Sequence, residues 1–172
     1  GGVAGSGAIG AGGGTYGSAA APEQPGSSGG AWGGHLGDNG GGAVRIDAPG
    51  GRVRVDGTIS ACGKDVSFYG GGGSGGSIWI RCRTFTGGGR IAADGSNGDA
   101  TGGYSDNGGG GGGRVAVDYD LLAQVGETPP TVVFSVKGGV SPVNGTHFDS
   151  SRGAPGTLYL SDASFFPTDT IT

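Results

Sequence analysis

Almost everything that ordinarily builds a globular centre is scarce in this chain. Leu, Ile, Val and Phe together fall below about one residue in five, the level under which chains tend to stay disordered. Methionine is absent, and there are only 2 Trp and 2 His in 172 residues. A single large core is therefore excluded, and a thin core repeated along an elongated domain is expected instead. There are 2 cysteines, Cys62 and Cys82, which allows one disulfide at most, formed only in an oxidising compartment. No apolar run of about 18 residues exists and no signal peptide is visible, so no membrane insertion is expected. The chain opens on Gly1 rather than Met and reads as a mature or excised segment. Charges are few, 10 basic against 14 acidic, for a net −4, and no nucleic-acid partner is expected.

What fills the space is glycine. The 47 Gly and 8 Pro make up roughly a third of the chain, a composition usual for low complexity. Ordering glycine costs more backbone entropy than ordering any other residue, so an ordered chain of this kind needs close, repeated backbone hydrogen bonding. Residues 1–39 show almost no strand pattern. They are expected to form a layer of extended polyglycine II type, with three residues per turn and hydrogen bonds supplied by neighbouring segments. Trp32 and His35 would cover an edge of that layer.

From residue 40 the pattern changes to a period of two. Val44 and Ile46, Val53 and Val55, and Ile59 and Ala61 are each separated by one polar or small residue, the signature of half-buried strands. Pro49-Gly50-Gly51 and Asp56-Gly57 supply turns between them. The same design recurs in Ser77-Ile78-Trp79-Ile80-Arg81, Arg114-Val115-Ala116-Val117-Asp118 and Thr157-Leu158-Tyr159-Leu160-Ser161, at spacings of roughly 35 to 45 residues, the range of stacked repeats. A second strand follows in each unit: Gly57-Thr58-Ile59-Ser60-Ala61, then Gly89-Arg90-Ile91-Ala92-Ala93, then Thr131-Val132-Val133-Phe134-Ser135. Stacked in register, these strands make parallel sheets. Val44, Ile78, Val115 and Leu158 form one inward column, and Ile46, Ile80, Val117 and Leu160 the next. Outward, Arg45 could lie over Trp79 in a column continued by Ala116 and Tyr159, while Asp47, Arg81 and Asp118 would alternate in sign in a column continued by Ser161.

The fold expected from these patterns is an all-β, glycine-rich parallel β-solenoid or β-helix with polyglycine II-like segments; a glycine-rich β-sandwich is the alternative. One elongated domain would cover 1–172, with the glycine-rich layer at 1–39, stacked β repeats at 40–161, and a C-terminal cap or inter-subunit tail at 162–172. Phe165 and Phe166, beside Pro167, would either cover the last repeat or anchor the next subunit.

Candidate chemistry is sparse. Asp94, Asn97, Asp99, Asp106 and Asn107 share one glycine loop and could offer oxygens to calcium, the one cofactor considered. Gly33-Gly34-His35-Leu36-Gly37-Asp38 departs from the nonapeptide calcium repeat and does not recur. The glycine tracts lack the Gly-Lys-Ser/Thr and following helix of a phosphate loop, the only helix-like run being a weak one around Leu121-Leu122-Ala123-Gln124. Polysaccharide lyases and hydrolases also use parallel β-helices, but they need a cleft, and Asp47 and Asp118 would face outward on a flat sheet. The other histidine, His147, falls in a loop beside Asn144-Gly145-Thr146, a glycosylation acceptor at Asn144. Trp79 and Tyr159 could stack on sugar rings or meet a neighbour, unless a loop of the same chain covers them. An ice-binding face would repeat small Thr, which these mixed columns do not.

The run from Gly72 to Ile80, with Gly89-Arg90-Ile91-Ala92-Ala93-Asp94-Gly95 and Gly110 to Val117, resembles glycine-rich β-solenoid repeats of large secreted and cell-surface microbial proteins. Residues 153–160 resemble a closing repeat, and the first 40 residues resemble, in composition, the polyglycine II layers of phage adhesins. The resemblance implies an extracellular or cell-surface location more than an activity. The chain as a whole reads as a non-enzymatic structural module of an extracellular fibre, filament or surface appendage. Its partners would be copies of itself or neighbouring modules. An adhesin module that binds glycans or a receptor is the rival.

Overall fold

The structure, a computed structural model, describes residues 13–31, 36–65, 70–98, 107–140, 142–143, 146–147 and 152–167. Four strands form one parallel sheet in the order β1 (Ala43–Arg54), β3 (Ser77–Thr86), β5 (Arg114–Tyr119) and β9 (Thr157–Leu160). A second parallel sheet holds β2 (Thr58–Ser60), β4 (Arg90–Ala92) and β6 (Val133–Ser135). A two-residue antiparallel pair, β7 (Pro142–Val143) and β8 (Thr146–His147), stands apart.

The columns read from the period-two pattern are found. Val44 pairs with Ile78, Ile78 with Val115, and Val115 with Leu158; Ile46, Ile80, Val117 and Leu160 align likewise. In the second sheet Ile59, Ile91 and Phe134 stand in one column. Burial follows position in the stack: Ile78, Ile80, Val115 and Val117 are fully buried, whereas Val44 and Ile46 at one end and Leu158 and Leu160 at the other are only partly so. Pro49-Gly50-Gly51 does not end a strand. It forms a bulge within β1, which faces Cys82 at Ala48 and resumes opposite Thr84 at Arg52.

Neither expected fold is met. A sandwich requires antiparallel sheets, and all seven strands of the two sheets are parallel. Nor is the molecule a closed, all-β solenoid: two open sheets are accompanied by a helical turn, α1 (Leu121–Gln124), and a 3-10 turn (Ala163–Phe165), an α/β-like arrangement. The physical reason lies in the glycine segments, where a third parallel ladder would have to close each coil. Gly26 and Gly29 donate to Gly41 and Asp38, so those two segments run antiparallel, at 2.8 and 2.9 Å. Asp38 and Gly41 in turn donate to Gly71 and Ser74, a parallel pairing, at 3.0 and 2.8 Å.

Bonded amides in this layer lie three residues apart, the spacing of a threefold extended chain. In residues 70–76, Gly71 and Ser74 donate to one neighbour at Gly30 and Ser27, while Gly72 and Gly75 donate to another at Gly108 and Gly111. Such a segment touches several backbones at once, and only glycine leaves room. A Cβ on Gly75 would lie 2.0 Å from the carbonyl oxygen of Ala93, and one on Gly76 would lie 1.9 Å from that of Gly42. Threefold bonding thus precedes β1 at residues 26–30 and 37–42 and recurs between the strands in 70–76, 93–98 and 107–113, beyond the first 39 residues.

Where β5 ends at Tyr119, the sheet would leave the edge of Phe85 unpaired. Asp120 caps α1 by accepting from the Leu122 and Ala123 amides at 2.9 and 3.1 Å. The turn delivers Gln124 inward, where it is 1 % exposed. Its Oε1 accepts from the Phe85 amide at 2.9 Å and its Nε2 donates to the Phe85 carbonyl at 2.9 Å. One side-chain amide therefore replaces the missing residue of the next strand.

Phe165 and Phe166 close the far end of the same region. Phe166 packs on Phe134, Phe85 and Tyr119 with ring centroids 5.4, 6.1 and 6.3 Å apart, and Phe165 meets Tyr119 edge-on at 6.1 Å. Phe166→Leu should keep most of the volume but lose the ring contacts, which lowers stability by about 1 kcal/mol. Denaturant titration checks this.

Candidate interaction surface

The outward face of the four-stranded sheet carries a column of charged side chains in register. Arg81 lies between Asp47 and Asp118, at 3.7 and 3.6 Å, so the expected alternation of sign is present. Ser161 extends the column by donating to Asp118 at 2.9 Å. These groups are well exposed, and each pair contributes only about 0 to 1 kcal/mol. In the neighbouring column the Arg45 guanidinium lies 4.4 Å from the centre of the Trp79 ring, with Arg81 at 5.9 Å.

Part of this face is covered by the chain's own N-terminal segment. Glu23 pairs with Arg45 at 2.7 Å, the Ser77 hydroxyl donates to the Gln24 carbonyl at 2.6 Å, and the Arg114 guanidinium sits 5.8 Å from the Tyr16 ring. Ala116, although outward, is fully buried, and Trp79 is half-buried with an indole N–H that lacks a partner. Tyr159, in the last strand, remains 39 % exposed. Trp79 is thus held by two guanidinium groups, and of the predicted aromatic platform only Tyr159 stays open.

Of the calcium candidates, Asp94 and Asn97 are engaged by the chain. Asp94 Oδ1 accepts from the Ser135 hydroxyl and the Lys137 amide at 2.6 and 2.7 Å, and its Oδ2 accepts from Arg90 at 3.2 Å. Asn97 Oδ1 accepts from the Val140 amide at 2.9 Å. Each side chain therefore bonds to the next unit of the stack, as a backbone carbonyl would. Asn107 is buried. Asp99 and Asp106 lie outside the described residues, as do Asn144, Trp32 and His35; of His147 only the backbone, in β8, is described. Among the described residues no three His, Cys, Asp or Glu side chains gather as metal ligands.

The two thiols are free and apart in the fold. Cys62 follows β2, where its sulfur accepts from the Asp94 amide at 3.3 Å. Cys82 lies within β3, between Ala48 and Tyr119 in register. Burial pushes its pKa up to about 11, and burial likewise pushes Tyr119 up to about 12, against the opposing effect of its hydrogen bond with the Asp162 backbone. Both groups are neutral in the folded state and ionise more readily once unfolded. Their contribution is therefore complete below about pH 9 and lost as pH rises through 11 and 12. Denaturation midpoints should fall steadily above pH 9, and Cys82→Ala should remove the earlier part of that fall.

Two shallow clefts, of about 370 and 310 Å³, flank the Arg52–Glu127 ion pair, where the segment after α1 lies over β1 and β3. Arg52 is held by Glu127 at 2.7 Å and Arg54 by Asp56 at 2.6 Å, a contact that keeps the Asp56 carboxyl below its ordinary range. The Thr86 hydroxyl beside them is buried without a partner.

Among the described residues no helix is long and apolar enough to cross a membrane. Comparison with protein-family models, curated proteins and solved structures found no match.

Proposed function

We propose that the chain is a non-enzymatic structural module which associates with copies of itself, through its open sheet ends, in an extracellular fibre, filament or surface appendage. One observation carries the reading: the apolar columns run through the whole stack and emerge half-covered at both ends, as Val44 and Ile46 on β1 and as Leu158 and Leu160 on β9. Among the described residues both strands are sheet edges, with a neighbouring strand on one side only. Unpaired edges with apolar neighbours invite another strand. The glycine layer suits this role as well, because it gains its stability from backbone pairing that can repeat along an axis. The resemblance to secreted repeat proteins carries the placement outside the cell. Sedimentation velocity over a range of concentrations tests the proposal: species should grow with concentration, and a monomer at every concentration would overturn it.

A further inference from the structure

Resting on that reading, we infer that the association is head to tail in a single register. The β9 edge of one copy pairs in parallel with the β1 edge of the next, Thr157 opposite Ala43, Leu158 opposite Val44, Tyr159 opposite Arg45 and Leu160 opposite Ile46. The register is that of the molecule itself. Three successive pairings, β1 with β3, β3 with β5 and β5 with β9, keep the same columns, and β1 and β9 are first and last in that series. Placing a second β1 on β9 adds a fifth strand without changing the direction or offset of the ladder.

The outward columns point to the same partner. Arg45 is stacked on Trp79 of its own β3 at 4.4 Å and paired with Glu23 at 2.7 Å, and among the described residues no strand stands beside it on the edge side. In the head-to-tail pairing that position is filled by Tyr159, an exposed aromatic ring at the place in the repeat where β3 carries Trp79. A cation between two rings continues the column. In the next column Ser161 separates Asp118 from the incoming Asp47, so two carboxylates are never adjacent. The apolar columns gain in parallel, since Leu158 and Leu160 would be covered by Val44 and Ile46. A two-fold pairing of β1 with β1, or of β9 with β9, would make the new ladder antiparallel and would end the assembly at two copies.

The test is cross-linking of the purified chain, in a background of Cys62→Ser and Cys82→Ala whose melting curve is matched to the parent. Directly opposed residues on parallel strands are about 4.8 Å apart, within reach of a disulfide. An equimolar mixture of Ala43→Cys and Thr157→Cys proteins, oxidised mildly, should give a covalent mixed dimer as the main product. Ala43→Cys mixed with Tyr159→Cys, two positions out of register, should give roughly tenfold less. In the unmodified background Tyr159→Lys sets two cations against each other and should weaken association by roughly tenfold or more, with melting unchanged. Association with equal yields from both mixtures, or cross-linking of either variant to itself, overturns the register and leaves the structural role standing. A chain that never associates overturns both.

Discussion

Gly110→Ala is expected to lower stability by about 3 kcal/mol or more, a large fraction of what a domain of this size has. The added Cβ would lie 1.9 Å from the carbonyl oxygen of Gly73 and 2.4 Å from its carbonyl carbon. Neither atom belongs to a flexible side chain that could turn aside. Gly110 is also fixed on two further sides: its amide donates to the Ser96 carbonyl at 2.8 Å, and its carbonyl accepts from the Gly139 amide at 2.8 Å. Relief requires one extended segment to move bodily, with the loss of several lateral hydrogen bonds. Gly42→Ala is the matched control. Nothing lies within 4 Å of its added Cβ and its φ is not in the left-handed region, so the change should be neutral or stabilising by about 0.4 to 1 kcal/mol. Urea titration separates the two, and a Gly110→Ala protein as stable as its parent would refute the close-packed glycine layer.

Gln124→Leu is the second large effect. Leucine has a similar volume and suits a short helix, so packing and propensity alone predict little change. The Phe85 amide and carbonyl would nonetheless both lose their partners in a dry site. An unsatisfied buried backbone group costs about 1 to 3 kcal/mol, so the pair predicts a loss of about 2 to 6 kcal/mol. Gln124→Glu should fall between the two, since a carboxylate can accept from the amide but cannot donate to the carbonyl. Equal stability for Leu and Gln at this position would show that Gln124 does not stand in for a strand.

These two sites also show what could be read from the chain and what could not. Val44, Ile46, Ile78, Ile80, Val115 and Val117 announce their columns because a strand's side chains alternate every two residues, whatever surrounds them. The charge column of Asp47, Arg81 and Asp118 follows from the same register. Gly110 and its neighbours carry no such mark: a residue without a side chain leaves no period in the sequence, so whether these segments run parallel, as closure of a solenoid needs, or antiparallel, as Gly26 does to Gly41, is settled only by their hydrogen bonds. Gln124 looks like one residue of a weak helix, and its partner is 39 positions away. Asp94 and Asn97 suggested calcium because carboxylate and amide oxygens in a loop look alike whether they face an ion or a backbone amide; here Lys137 and Val140 provide the amides. Pro49-Gly50-Gly51 has the composition of a turn, yet a bulge uses the same residues, and pairing with β3 on both sides keeps β1 continuous. Phe165 and Phe166 left two uses open, and the rings of Tyr119, Phe134 and Phe85 beneath them show that they cover this chain's own core.

The most direct measurement of the central claim is the axial repeat of assembled material, by electron microscopy or fibre diffraction of the concentrated chain. Each copy contributes four strands to the longer sheet, so head-to-tail stacking at about 4.8 Å per strand predicts a repeat of about 19 Å along the axis, with a strong reflection at about 4.8 Å. Separate particles of monomer size at high concentration, or assemblies whose strands run antiparallel across the junction, would contradict it.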